Sequence, residues 1–157
     1  MGTQLNGLSE GAAFGDDSQM DSNFPIVRLT DASGNVFYAR TFNWSSTGVM
    51  TGNQTVSTEF RVSEFLPPGS YSLAVVANGI SSDSVSFSGP IYVNFNYTGL
   101  LQFGTYVFPF ATLAQGVGAV PVGGTIVLEG PGTSAETMKL SKAMRLTAIA
   151  GASTIGR

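Results

Sequence analysis

FPIVRLTDASGNVFYARTF, from Phe24 to Phe42, decides the fold. Val27 and Leu29 alternate with Ile26, Arg28 and Thr30, the two-residue period of a strand with one buried face. DASGN follows, in which Asp31 and Gly34 supply the chemistry of a short turn, and the alternation resumes from Val36 to Phe42, so the stretch predicts a β-hairpin. Working outward, TVSTEFRVSEF sets Val56, Thr58, Phe60 and Val62 against Ser57, Glu59 and Arg61 and predicts one further strand. LPPGS stops it, because Pro67 and Pro68 cannot continue a ladder and Gly69 allows the chain to reverse. SYSLAVVANG and SVSFSG predict two more strands, separated by a turn at NGISSD.

About six antiparallel strands at this spacing predict a small immunoglobulin-like sandwich over residues 1–88. Near Gly89 and Pro90 the texture changes. IYVNFNYTGLLQFGTYVFPF is rich in aromatic residues, and ATLAQGVGAV follows with Leu113, Val117 and Val120 at helical spacing, ended by Pro121 and Gly123-Gly124. TIVLEG, TMKLSK and MRLTAIAG are short apolar runs, interrupted by PGTSAE and single glycines. Ile126 and Leu128, then Met138 and Leu140, alternate inward, which predicts successive faces of a parallel β-helix over residues 89–157. The expected fold is therefore all-β: an immunoglobulin-like antiparallel β-sandwich followed by a short, capped parallel β-helix segment with one short helix.

Composition removes several chemistries. The 157 residues include 11% charged residues, a net charge of −3, no His and no Cys. A surface so poor in positive charge gives nucleic acid and anionic lipid nothing to bind. The apolar runs fall short of the 18 or so residues that a membrane helix needs. Without His or Cys there is no imidazole base, thiol nucleophile, His/Cys zinc site or disulfide, and Ser-based hydrolysis lacks its base and its G-x-S-x-G elbow. Any metal would be a hard cation held by oxygen. Met1 leads straight into GTQLNG, without the basic start and apolar core of a signal peptide.

Two stretches carry candidate sites. GDDSQMDSN places Asp16, Asp17, Asp21 and Asn23 together, oxygen ligands of the kind Ca²⁺ takes, so calcium is the one cofactor to consider. The spacing fits no EF-hand, and the same residues make an ordinary solvated turn, which is the preferred reading. As a catalytic pair, Asp16 and Asp17 lack an evident cleft. Phe42, Asn43 and Trp44 form the second group: a flat aromatic face stacks on sugar C–H groups and an amide fixes hydroxyls, so a polysaccharide is the ligand such a group would take, but Trp44 plugging one end of the sandwich is the preferred reading. The aromatic residues Tyr92, Phe95, Tyr97, Phe103, Tyr106, Phe108 and Phe110 are expected to cap the first β-helix turn or fill a domain interface. Lys139, Lys142 and Arg145 read as charged strand edges, with lyase chemistry the remote alternative.

GTQLNGLSEGAAFGDDSQ, NFPIVRLTDASGNVFYART, SSTGVMTG and SLAVVANGISS carry a resemblance: residues 3–88 resemble the early-set immunoglobulin-like domain at the C-terminal end of galactose-oxidase-like and kelch-repeat bacterial proteins. Residues 91–157 are similar in rhythm to the opening of a pectate-lyase-like right-handed β-helix. The oxidase copper centre uses histidine and a cysteine-modified tyrosine, and this chain has neither His nor Cys, so oxidase activity does not carry over. What the resemblance implies is an accessory module of a secreted or cell-surface bacterial protein. The chain starts inside what reads as a first strand and stops at Arg157, where a β-helix would add rungs. The function expected is non-catalytic: a structural or adhesive module, self-associating into a homo-oligomer through open β edges. The alternative is a carbohydrate-binding module of a polysaccharide-active enzyme, and a third reading is a hydrolase or lyase fragment using Asp16, Asp17 or Lys139.

Overall fold

The structure is a computed structural model and describes residues 1–8 and 24–156. Among the described residues the regular structure is mostly strand, with one short helix. It forms two compact units, Met1–Val62 with Ser72–Phe87 and Ser63–Tyr71 with Ser88–Arg157.

In the first unit, β1 spans Gly2–Thr3, β2 Ile26–Thr30, β3 Val36–Phe42, β4 Thr55–Val56, β5 Glu59–Phe60, β6 Ser70–Ala77, β7 Ile80–Ser81 and β8 Val85–Ser88. The sheet order is β5-β3-β2-β6-β7, with β8 also on β6, and β1 pairs separately with β4. β2 and β3 are the hairpin expected, Ile26 opposite Arg40 and Thr30 opposite Val36. Its turn closes by local chemistry. Asp31 Oδ1 accepts the N–H of Ser33 at 2.9 Å and of Asn35 at 2.8 Å, and Asn35 Nδ2 donates to Asp31 Oδ2 at 2.8 Å. Gly34 takes the φ of 85° that the reversal requires. Alternation then sets burial: Val27, Leu29 and Ala39 turn inward and are buried, while Tyr38 on the opposite face is exposed.

Two expectations change here. TVSTEFRVSEF is not one strand. Val56 belongs to the pair with β1 and Phe60 to the pair with β3. The residues between them are held by other bonds, Ser57 N–H to Ser45 Oγ at 2.9 Å and Thr58 Oγ1 to the Phe42 carbonyl at 2.8 Å, so the chain crosses from one pairing to the other. The turn in NGISSD is only Asn78-Gly79, both with positive φ (49° and 76°), as a two-residue hairpin demands. Ile80 and Ser81 return as β7 along β6.

In the second unit, β9 spans Ile91–Val93, α1 Leu113–Ala119, β10 Thr125–Glu129, β11 Gly132–Ser134, β12 Arg145–Ile149 and β13 Ser153–Ile155. All its pairings are parallel: β9, β10 and β12 in one sheet, β11 and β13 in another. Thr125 pairs with Arg145 and Gly132 with Ser153, so the coils repeat after 20 and 21 residues (145 − 125 and 153 − 132). Ile91, Val93, Ile126, Leu128 and Val120 form one buried core. Helix α1 starts at a capping box, Thr112 accepting from Gln115 N–H while Gln115 returns the bond, and ends before Pro121. TMKLSK is a correction: residues 137–142 form no strand, and Leu140 is exposed. PGTSAE, expected as an interruption, contains β11. Three residues are too few for an alternation pattern, and their pairing comes from the coil repeat.

The aromatic segment covers one edge of the parallel sheet. Tyr92 N–H donates to the Gly104 carbonyl at 2.9 Å, Phe110 N–H to the Tyr92 carbonyl at 3.0 Å, and Asn94 N–H to the Phe110 carbonyl at 2.8 Å. Phe95 and Phe110 pack on the core, and Tyr92 meets Tyr106 edge-on at 5.5 Å. At the other side of the sheet β12 has, among the described residues, a single ladder neighbour, β10. Arg145 N–H and the Ile149 carbonyl point to β10. The backbone groups of Leu146 and Ala148 therefore point the other way.

Candidate functional site

Trp44 follows the end of β3. Its indole N–H donates to Thr41 Oγ1 at 3.0 Å, and buried Thr41 in turn donates to the Pro25 carbonyl. The indole edge is thus fixed inside the unit, while its ring meets Phe24 at 5.1 Å and 65°. Phe24 is 65% exposed. Asn43 sits between them in sequence at φ 51°, a conformation Asn tolerates, and its amide donates to Glu59 Oε2 at 3.3 Å. Phe42 is half-buried opposite Glu59. The three residues named from sequence are neighbours in the chain, but the exposed aromatic surface beside Trp44 is Phe24, which the sequence reading left out.

Asp16, Asp17, Asp21 and Asn23 lie outside the described residues. Among the described residues no group of three acidic side chains is placed to hold a metal ion. Lys142 Nζ donates to the Val120 and Gly118 carbonyls at 2.7 and 3.3 Å, at the C-terminal end of α1. That is a favourable place for a cation, and it gives Lys142 a structural role. Lys139 and Arg145 are exposed. Glu136 works at the other end of the helix: its carboxylate accepts Leu113 N–H at 2.7 Å, Ala114 N–H at 3.0 Å and Ser134 Oγ at 2.9 Å. Burial pushes its pKa up, and these bonds together outweigh that and hold it below the ordinary value.

Glu129 is the least ordinary side chain of the second unit. It ends β10, between β9 and β12, on the face opposite the core residue Leu128. Burial raises its pKa from 4.5 to about 7, and a hydrogen bond from the Asn94 side chain lowers it only in part. Asn94 Oδ1 already accepts Asn96 N–H at 2.9 Å, so its amide nitrogen is the donor to Glu129. Glu129 Oε1 is buried without a hydrogen-bond partner among the described residues. Tyr92 is pushed up as well, by burial first and then by the charges of Glu129, Tyr106 and Glu64. In sequence Glu129 is one carboxylate at the end of TIVLEG, and nothing there signals an unusual environment.

Among its described residues the first unit also has a pocket of about 590 Å³, partly open to solvent. Val27, Leu73 and Val75 of the sheet line one side, with Leu5 and Leu8 of the N-terminal segment. Ser81, Ser82 and Asp83 form part of its boundary. No protein-family model, no curated protein and no solved structure matches the chain. Among the described residues no helix is long and apolar enough to cross a membrane.

Proposed function

We propose that the chain is a non-catalytic structural or adhesive module that associates with a second copy through its parallel coils. The supporting observation is the asymmetry of one sheet: residues 104–110 hydrogen-bond along β9, whereas among the described residues β12 has a neighbour on one side only. Open strand edges recruit strands, because unpaired N–H and C=O groups find partners there. The exposed Ile149 and Ile155 of β12 and β13 add apolar area to that edge. Residues 104–110 already occupy the β9 edge, so β12 meets β12 of the partner in a closed two-fold pair. A place in an extracellular or cell-surface bacterial protein rests on the resemblance of residues 3–88 to early-set domains and of residues 91–157 to pectate-lyase-like coils.

Sedimentation over a range of concentrations tests this. A monomer–dimer equilibrium that Ala148→Lys abolishes, with the circular dichroism unchanged, is the expected outcome. A chain that stays monomeric at the highest concentration overturns it.

A second reading, a carbohydrate-binding module, is favoured by the Phe24–Trp44 ring pair beside Asn43. Retention on insoluble polysaccharide that is lost in both Phe24→Ala and Trp44→Ala supports it, and equal retention of the variants removes it.

A further inference from the structure

Glu129 stands where the chain leaves one parallel sheet for the other. Gly130, at φ 70°, follows it and donates its N–H to the Ile149 carbonyl at 2.9 Å, and Pro131 leads into β11. The Pro131 carbonyl accepts Asn96 Nδ2 at 2.7 Å, so the corner is tied to the turn after β9. A disturbance at Glu129 therefore reaches both parallel sheets. The groups named around it include no positive charge to offset an ionised carboxylate, and Asn94 offsets it only in part. β9 contributes Tyr92 and the neutral Asn94, and β12 sets Ile149 opposite, with Thr147 before it. Arg145, the charged residue of β12, pairs with Thr125 at the far end of β10. The aromatic segment contributes Tyr106, against Tyr92, and residues 63–71 contribute Glu64, which has the same sign as an ionised Glu129. A carboxylate oxygen shielded from water and lacking a donor is costly when charged and far less so when the group is neutral.

We propose that Glu129 is a proton-operated lock on the parallel coils: protonated, it lets β9, β10 and β12 close on one another, and ionised, it loosens the corner between the two sheets. The direction follows from linkage. The folded chain keeps a proton that the unfolded chain releases between pH 4.5 and about 7. Stability of the second unit is therefore greatest below pH 4.5 as far as this group is concerned, falls as pH rises through that window, and has lost the whole contribution above about pH 7. The inference does not depend on whether the coils associate.

Carbon-detected NMR titration of the full chain with labelled glutamate reads the group directly. The Glu129 carboxyl carbon, assigned with Glu129→Gln, is expected to titrate near pH 7. Asn94→Ala removes the bond that favours the charged form and moves the midpoint higher. Hydrogen exchange, corrected for its intrinsic pH dependence, is expected to show amides of β9, β10 and β12 losing protection about tenfold between about pH 5 and about pH 8. Glu129→Gln, which mimics the protonated form, flattens that slope. A midpoint below about pH 5, or the same slope in Glu129→Gln and the parent, overturns the proposal. If the Gln variant fails to fold, the parent titration and the Asn94→Ala shift still decide it.

Discussion

In the parallel unit, Ile91, Val93 and Ile126 are closed upon by α1, which approaches so nearly that a Cβ on Gly116 would lie 2.6 Å from Val93 Cγ2. In the antiparallel unit the same kind of aliphatic wall, Val27, Leu73 and Val75, borders a cavity of about 590 Å³. Both units follow period-two alternation, so patterning alone does not explain the difference. What differs is the second layer. The coil from Ile91 to its partner Ile126 is 35 residues long (126 − 91) and brings a helix and aromatic side chains onto the same core, and the next coil returns after 20 or 21 (145 − 125 and 153 − 132). In the first unit β1 and β4 pair over only two residues each. Alternation builds a face, and a second element of matching size is needed to fill it.

The largest effect that tests this contrast is truncation on either side of it. Ile126→Ala removes a fully buried side chain from a filled core and is expected to cost about 3–4 kcal/mol, while Leu73→Ala, already beside a void, is expected to cost about 1–2 kcal/mol. Denaturant titration with hydrogen exchange to localise each unit measures both, and equal losses would erase the distinction. Gly116→Ala comes next, at about 1–3 kcal/mol, because the added methyl meets Val93; Gly118→Ala in the same helix has open space and should be neutral or slightly stabilising.

Glu136→Ala uncaps α1 and is expected to lower stability by about 1–2 kcal/mol at neutral pH. Because the folded pKa of Glu136 is lowered from 4.5, its contribution is present above that value and is lost as pH falls through the folded value. Parent and variant curves should therefore converge as the pH falls through that folded value, and thermal melts over a descending acid series check it. The smallest effect has the opposite sign. Ala77→Val adds volume toward the cavity from a strand position that suits a branched side chain and should stabilise the first unit by about 0.5–1 kcal/mol.

What could be read from the sequence was what is local. The hairpin at Asp31–Asn35 closes with bonds inside its own turn, and α1 shows itself by Leu113, Val117 and Val120 at helical spacing ahead of Pro121, so both were legible from neighbouring letters. Ile126 and Leu128 were legible because five-residue β10 is long enough to alternate. β11 was hidden inside PGTSAE, and Met138 and Leu140 imitated a strand, because three-residue coil strands are chosen by pairing across the repeat and not by their own pattern. Phe24 escaped notice as a site residue because its ring partner is 20 positions away (44 − 24). Glu129 was illegible for the same reason: its environment is made by Tyr92 and Asn94, which only the fold brings near.

The covered edge of β9 gives the coil stack a polarity. Starting a parallel pair is the slow step, since a long connection must close before any ladder bond forms. The turn at residues 104–110 closes against β9 over a short loop, so it can act as the seed, and β10 and then β12 are laid down on it in chain order. Each added coil inherits a finished template on one side and offers a fresh one on the other. The pairings of the folded stack run in chain order from Ile91 to Ile149, and residues 104–110 occupy the edge from which they start.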